Sequence, residues 1–288
     1  MPPQCAAGTA TASVESFQLK HLIRQFVHRL MRKPARRPNR ASPSGTRFEH
    51  KLLVGTHHKC ATVWMASIFK SLCRDLGMTF YSGQLETLPQ TFDVWHEDHS
   101  RFGDGIDFAY CRGLHIVRDP RDVIVSACRY HQTSDESQLH IPLEKFGGLT
   151  YQEKLNSLET FDRQLLFEME HSAGSTVRDI IKWDYQQPAF FEAKYEDLMR
   201  DEDLFLFHRI FTFLGLPANL LPFALETAYN NSLFSGKVTT KHVRSGRLNQ
   251  WRDYFQPVHK EKFIDLFGDA LIKLGYESDH DWTTGTGQ

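Results

Sequence analysis

Long apolar runs are missing from this 288-residue chain. None approaches the roughly 20 residues that a membrane-spanning helix needs, and none reads as a secretory core. A large excess of either charge is missing too, with thirty-four Lys and Arg against thirty-five Asp and Glu. Cysteine is sparse. Cys5, Cys60, Cys73, Cys111 and Cys128 are odd in number and fall into neither a disulfide framework nor a zinc-ligand spacing, so reduced thiols in a cytosol-like compartment are expected. Near-neutral charge nevertheless conceals an asymmetry. Residues 1–50 carry nine basic and two acidic side chains, and the remainder carries twenty-five basic and thirty-three acidic. That acidic body argues against general nucleic-acid binding.

What is present begins at Lys51-Leu-Leu-Val-Gly55, an apolar run of the kind that forms a buried parallel strand. It gives way to a short polar loop carrying Lys59, after which Thr62 to Lys70 has helical spacing. A strand, a tight loop with one lysine and a helix start together bring free N–H groups, the helix dipole and an ammonium onto an anion. A nucleoside triphosphatase loop does not fit. Gly55 is followed by Lys59-Cys60-Ala61, which has neither the second glycine nor the Lys-Ser/Thr pair. A second corner lies at Tyr110 to Arg118, where a strand ends and Asp119-Pro120 caps and opens another helix. There Arg118 offers a planar fork to a phosphate and Ser126 a hydroxyl. An ordinary βα turn with a surface lysine, and an ion-paired arginine, remain the alternatives for these corners.

These segments resemble, in order, the sulfotransferases that use 3′-phosphoadenosine 5′-phosphosulfate. The resemblance runs from about Lys51 to Tyr276. It implies that Lys59, Cys60, Ala61, Thr62 and Val63 hold the 5′-phosphosulfate and that Trp64 packs on the adenine. Arg118 and Ser126, within Arg-Asp-Pro-Arg-Asp-Val-Ile-Val-Ser, would bind the 3′-phosphate. Tyr195 of Tyr-Glu-Asp-Leu would contact the base, with Phe234 of Ser-Leu-Phe at the adenine edge, and Arg244-Ser245-Gly246 would close over the 3′-phosphate. Cys60-Ala61 stands where Ser-Gly is usual, Val63 replaces a hydroxyl, and Ser245 replaces a basic residue. Weaker donor binding follows. The family's dimer motif survives only as Arg252, Gln256-Pro257 and Glu261, which leaves the oligomeric state open.

The same resemblance implies a histidine base, placed here at His96 with Lys59 as the second catalytic residue; Glu97 and His99 are the rivals. A neutral imidazole suits proton abstraction near pH 7. His96 and His99, with His57 and His58 nearby, also invite a metal reading. The spacing is not that of a zinc protease helix, no cysteine pair supports a site, and no metal is expected. The implied reaction is in-line sulfuryl transfer from 3′-phosphoadenosine 5′-phosphosulfate to a hydroxyl or amine of a small-molecule acceptor. A catalytically silent nucleotide-binding relative and a P-loop-type nucleotide kinase are the alternatives.

The expected fold is an α/β, P-loop-like three-layer arrangement, a central parallel sheet flanked by helices. Residues 48–288 form the sulfotransferase domain, and residues 1–47 a separate basic arm. In the arm, Leu19, Leu22, Ile23, Phe26, Val27, Leu30 and Met31 mark one helical face, followed by a Pro/Arg/Ser linker. Such a helix suits an anionic membrane surface, an organelle-targeting peptide, or docking onto its own domain. A cytoplasmic location is expected, with organelle targeting or peripheral membrane contact as alternatives. Tyr151 to Glu170 reads as one long helix, Asp201 to Leu214 as another, and Pro257 to Leu274 as a closing one. Most of this region reads as scaffold, with Gln132 to Thr150 as an acceptor-side loop or lid in the alternative. Phe80, Tyr81, Phe92, Trp95 and Phe102 suit either an apolar pocket or the core.

Overall fold

The computed structural model describes residues 50–103, 105–237 and 246–284. The basic arm, Arg244 and Ser245 lie outside the described residues. Strand β1 (Lys51–Gly55) is buried from Leu52 onward. It pairs in parallel with β3 (Val94–Glu97) on one side and β4 (Cys111–Val117) on the other. β2 (Phe80–Ser82) and β5 (Phe190–Lys194) complete a five-stranded, all-parallel sheet in the order β2-β3-β1-β4-β5. Leu52, Leu53 and Val54 are essentially inaccessible to solvent, as expected of a central strand covered by helices on both faces.

Helix α1 (Thr62–Leu76) turns Met65, Ile68, Phe69 and Leu72 onto one face of the sheet. There they share a core with Leu114, Ile116 and Phe211. On the second face Leu53 packs with Trp95, Phe102 and Phe190, while α2 (Pro120–His131) places Ile124, Val125 and Cys128 in a separate core with Leu165, Trp251 and Phe263. Both connecting strands thus deliver their C-terminal ends to one edge of the sheet. The chain leaves β1 toward one side and β4 toward the other, the arrangement that opens a ligand crevice between strand ends.

Two expected helices are divided. The Tyr151–Glu170 stretch splits into α3 (Tyr151–Asn156) and α4 (Phe161–Glu170) because Thr160 caps a new start by accepting the Arg163 N–H. α5 (Ser172–Lys182) follows, and α6 (Tyr195–Met199) comes directly after β5. The Asp201–Leu214 helix begins later than expected, as α7 (Phe205–Phe213), since the Asp201 carboxylate accepts the N–H groups of Leu206 and Phe207. α8 (Leu221–Asn230) packs on it. The closing helix breaks at Gly268 into α9 (Pro257–Phe267) and α10 (Ala270–Lys273). Phe92, Trp95 and Phe102 pack with Phe190 in the core and are not pocket walls. The Gln132–Thr150 segment is a run of short turns closed by a Pro142–Thr150 bridge, with Ile141 exposed. No helix among the described residues is long and apolar enough to cross a membrane.

Candidate active site

The loop between β1 and α1 takes an unusual backbone path. Lys59 and Ala61 both lie in the left-handed region, with φ of 66° and 64°, a conformation that costs a residue with a Cβ about 1–2 kcal/mol. Ala61 precedes α1 without a side-chain cap, and the first turn of the helix holds no acidic residue. The leading N–H groups of α1 therefore face the loop with the positive end of the dipole behind them. Thr62 Oγ1 donates to the His57 carbonyl at 2.9 Å, which fixes the loop's width. Cys60 is fully buried and donates to the His58 carbonyl. Burial pushes its thiol up to about 12, so it is a packed thiol rather than a reactive thiolate. Val63 is exposed at the helix start.

Lys59 places its ammonium 3.7 Å from the centre of the Tyr130 ring. Burial, then the charge of Arg118, brings its pKa down to about 8. Asp122 offsets part of this charge at Arg118 and Glu136 part of it at Lys59; the remainder favours an incoming anion. Arg118, just past the end of β4, reaches back to the same loop. One nitrogen donates to the Lys59 carbonyl at 3.1 Å and another lies 3.4 Å from Asp122, while its Nε has no hydrogen-bond partner. The guanidinium also lies 4.5 Å from the Tyr195 ring centre. Lys59 and Arg118 thus occupy neighbouring strand ends, and Arg118 is partly engaged within the fold. Asp122 in turn accepts the N–H groups of Asn249 and Trp251, which ties the segment after Gly246 to this corner. Glu196 accepts from the Asp119 N–H and the Tyr276 hydroxyl, anchoring α6 and therefore Tyr195 beside Arg118.

The other expected contacts are spread around this centre. Trp64 packs edge-on against Phe207, its indole N–H buried and unpartnered. Ser126 lies partly exposed on α2. Phe234 sits in a short turn after α8, against Tyr229. Gly246 has a φ of 60°.

His96 is buried and bonded at both ring nitrogens. Ser82 Oγ is 2.9 Å from Nδ1 and Thr56 Oγ1 is 3.3 Å from Nε2. Thr56 donates to Thr62 and Thr62 donates to the His57 carbonyl. That order leaves Thr56 as acceptor from the ring, so Nε2 carries the proton and Nδ1 accepts from Ser82. Burial holds His96 down at about 4. Glu97 is likewise committed, since its carboxylate accepts the N–H groups of His99 and Arg101. His99 differs. Its side chain is one-third exposed, and its Nδ1 has no hydrogen bond and lies 4.0 Å from Asp179. Among the described residues no three His, Cys, Asp or Glu side chains are arranged to hold a metal ion.

Sequence reasoning missed Thr56, Ser82 and Tyr130, which support His96 and Lys59. Thr56 lies in the loop after β1, but Ser82, which bonds the other nitrogen of His96, comes from a three-residue strand with no clear periodicity.

A parallel α/β sheet with a strand–loop–helix corner at its C-terminal edge is a P-loop-like architecture. The chain belongs to the sulfotransferase domain family, whose model matches residues 89–275; the Lys59 loop precedes the matched span. Among solved structures, that of mouse sulfotransferase SULT7A1 complexed with PAP is similar over 78% of this chain and 85% of its own, with 20% identity and a TM-score of 0.55. A retinol dehydratase in a complex with retinol and PAP matches 78% of this chain and 82% of its own, at 17% identity and a TM-score of 0.48. At these identities the structural likeness concerns the fold. No curated protein matches the chain.

Proposed function

We propose that the protein transfers a sulfuryl group from 3′-phosphoadenosine 5′-phosphosulfate to a hydroxyl or amine of a small-molecule acceptor, by in-line displacement. The observation that carries this reading is the uncapped start of α1 beside two close cations, Lys59 and Arg118. Family membership and the PAP-bound structural neighbour support it. The Thr62 and Val63 amides and the Lys59 ammonium hold the 5′ group and stabilise charge as it develops on the leaving phosphate. Cys60 and Ala61 contribute backbone only. Arg118, through its unpartnered Nε, and Ser126 receive the 3′-phosphate, with Arg244, Ser245 and Gly246 closing behind it. Trp64, Tyr195 and Phe234 serve the adenine.

Proton abstraction falls to His99. His96 holds its one lone pair against Ser82 and burial lowers its basicity, whereas the His99 side chain is one-third exposed, with Nδ1 unbonded and 4.0 Å from Asp179. His96 instead braces the loop through Thr56 and Thr62. The active protein is cytoplasmic on this reading, and the basic arm adds peripheral membrane contact or targeting.

Calorimetry separates the alternatives. Adenosine 3′,5′-bisphosphate should bind and ATP with magnesium should not; the reverse preference would favour a nucleotide kinase. His99→Ala should lower kcat by about 10²–10⁴-fold while leaving bisphosphate affinity unchanged. An equal loss in His96→Ala with intact His99 kinetics would return the base to His96.

A further inference from the structure

Behind the donor loop, three side chains from adjacent strands are joined in series. His57, two residues past β1, brings Nε2 to 2.9 Å from Nε2 of His115 on β4. His115 Nδ1 lies 2.6 Å from Glu192 Oε2 on β5, and Trp183 Nε1 donates to the other carboxylate oxygen at 2.8 Å. The sheet register builds this row, because Gly55 pairs with His115 and His115 with Glu192. Both histidines are fully buried, while the Glu192 side chain is 30% exposed. At the inner end His57 Nδ1 is buried with no partner. An unpartnered nitrogen at the end of a bonded row is a position at which a proton can enter it.

We propose that His57, His115 and Glu192 form a proton relay that accepts a proton at His57 Nδ1, on the donor loop, and delivers it to the partly exposed Glu192. With Glu192 ionised, His115 donates Nδ1–H to it and accepts from His57 Nε2–H, leaving a lone pair on His57 Nδ1. A proton arriving there moves the Nε2–H of His57 onto His115 Nε2. The Nδ1–H of His115 then passes to Glu192, which becomes the neutral acid and exchanges with water. No electrons are transferred and neither ring becomes a lasting imidazolium. Burial lowers both histidines, His115 to about 3, and raises Glu192 to about 7, so the carboxylate is the group that retains the proton near neutrality. His99 and Arg101 lie toward His57, Trp183 and Tyr185 flank His115, and Asp184 faces Glu192. The source of the proton, the acceptor hydroxyl or amine by way of His99, rests on the sulfotransferase reading; the relay geometry does not.

The test is a nitrogen-15 NMR titration of the full chain with labelled histidine, from pH 9 to pH 5. As pH falls through about 7, His115 should change from the Nδ1–H to the Nε2–H tautomer and His57 from Nε2–H to Nδ1–H, together. Glu192→Gln should lose that switch. Trp183→Phe removes a hydrogen bond to the carboxylate and should move the midpoint to higher pH with the switch retained. Tautomers fixed across the range, a switch surviving in Glu192→Gln, or an unmoved midpoint in Trp183→Phe would overturn the relay. Adenosine 3′,5′-bisphosphate binding, measured by calorimetry on the same samples, reports independently on the sulfotransferase reading.

Discussion

At the residue scale, the site holds groups in states that favour a ligand over the free fold. Lys59 is charged at neutral pH although burial and Arg118 oppose it. Its folded pKa of about 8 lies below the unfolded value, so its contribution to stability is unfavourable below about pH 8 and fades as pH rises toward the unfolded pKa. Lys59→Met should therefore raise the stability of the free protein by about 1–2 kcal/mol in urea unfolding, while abolishing bisphosphate binding. Bisphosphate affinity of the native protein should fall as pH rises through 8. Ala61 offers a second check. Relieving its left-handed backbone with Ala61→Gly should stabilise the protein by about 1 kcal/mol and leave the loop's width, set by Thr62, unchanged.

At the element scale, much was legible because each signal was local. The apolar run of β1, the lysine loop and the Asp119-Pro120 start of α2 all appear where short-range chemistry puts them. Helix division was harder to see, since Leu155, Leu158, Phe161, Leu165 and Met169 keep core spacing across the break while Thr160 starts a new helix. Removing that cap with Thr160→Ala should cost about 1 kcal/mol, measurable as a lower urea midpoint with an unchanged slope. The choice among His96, Glu97 and His99 was not legible. It depends on Ser82 and Thr56, which reach His96 only through the register of β2 and β1 with β3.

At the scale of the whole molecule, the sheet order could not be read from the chain, and it decides which side chains meet. Placing β1 between β3 and β4 puts Lys59 beside Arg118 and lines up His57, His115 and Glu192 across sequence separations of 58 and 77 residues. It also buries several neutral histidines. His57, His58, His96 and His115 all titrate below the unfolded value because burial disfavours their charged form. The unfolded chain binds more protons as pH falls below about 6.5, so stability should decline by up to about 2 kcal/mol per histidine between pH 7 and pH 5. Urea midpoints across that range measure it. Glu192 and Asp201, raised to about 7 by burial, take up protons in the folded state over the same range and offset part of that decline.

The central claim is that Lys59 and the start of α1 carry a sulfuryl donor toward an acceptor. Transfer of radiolabelled sulfur from 3′-phosphoadenosine 5′-phosphosulfate into a pool of small alcohols, phenols and amines tests it most directly. The wild-type chain should label at least one acceptor, and Lys59→Met should label none. Undiminished labelling by Lys59→Met, or no labelling by a wild-type protein that binds the bisphosphate, would contradict the account.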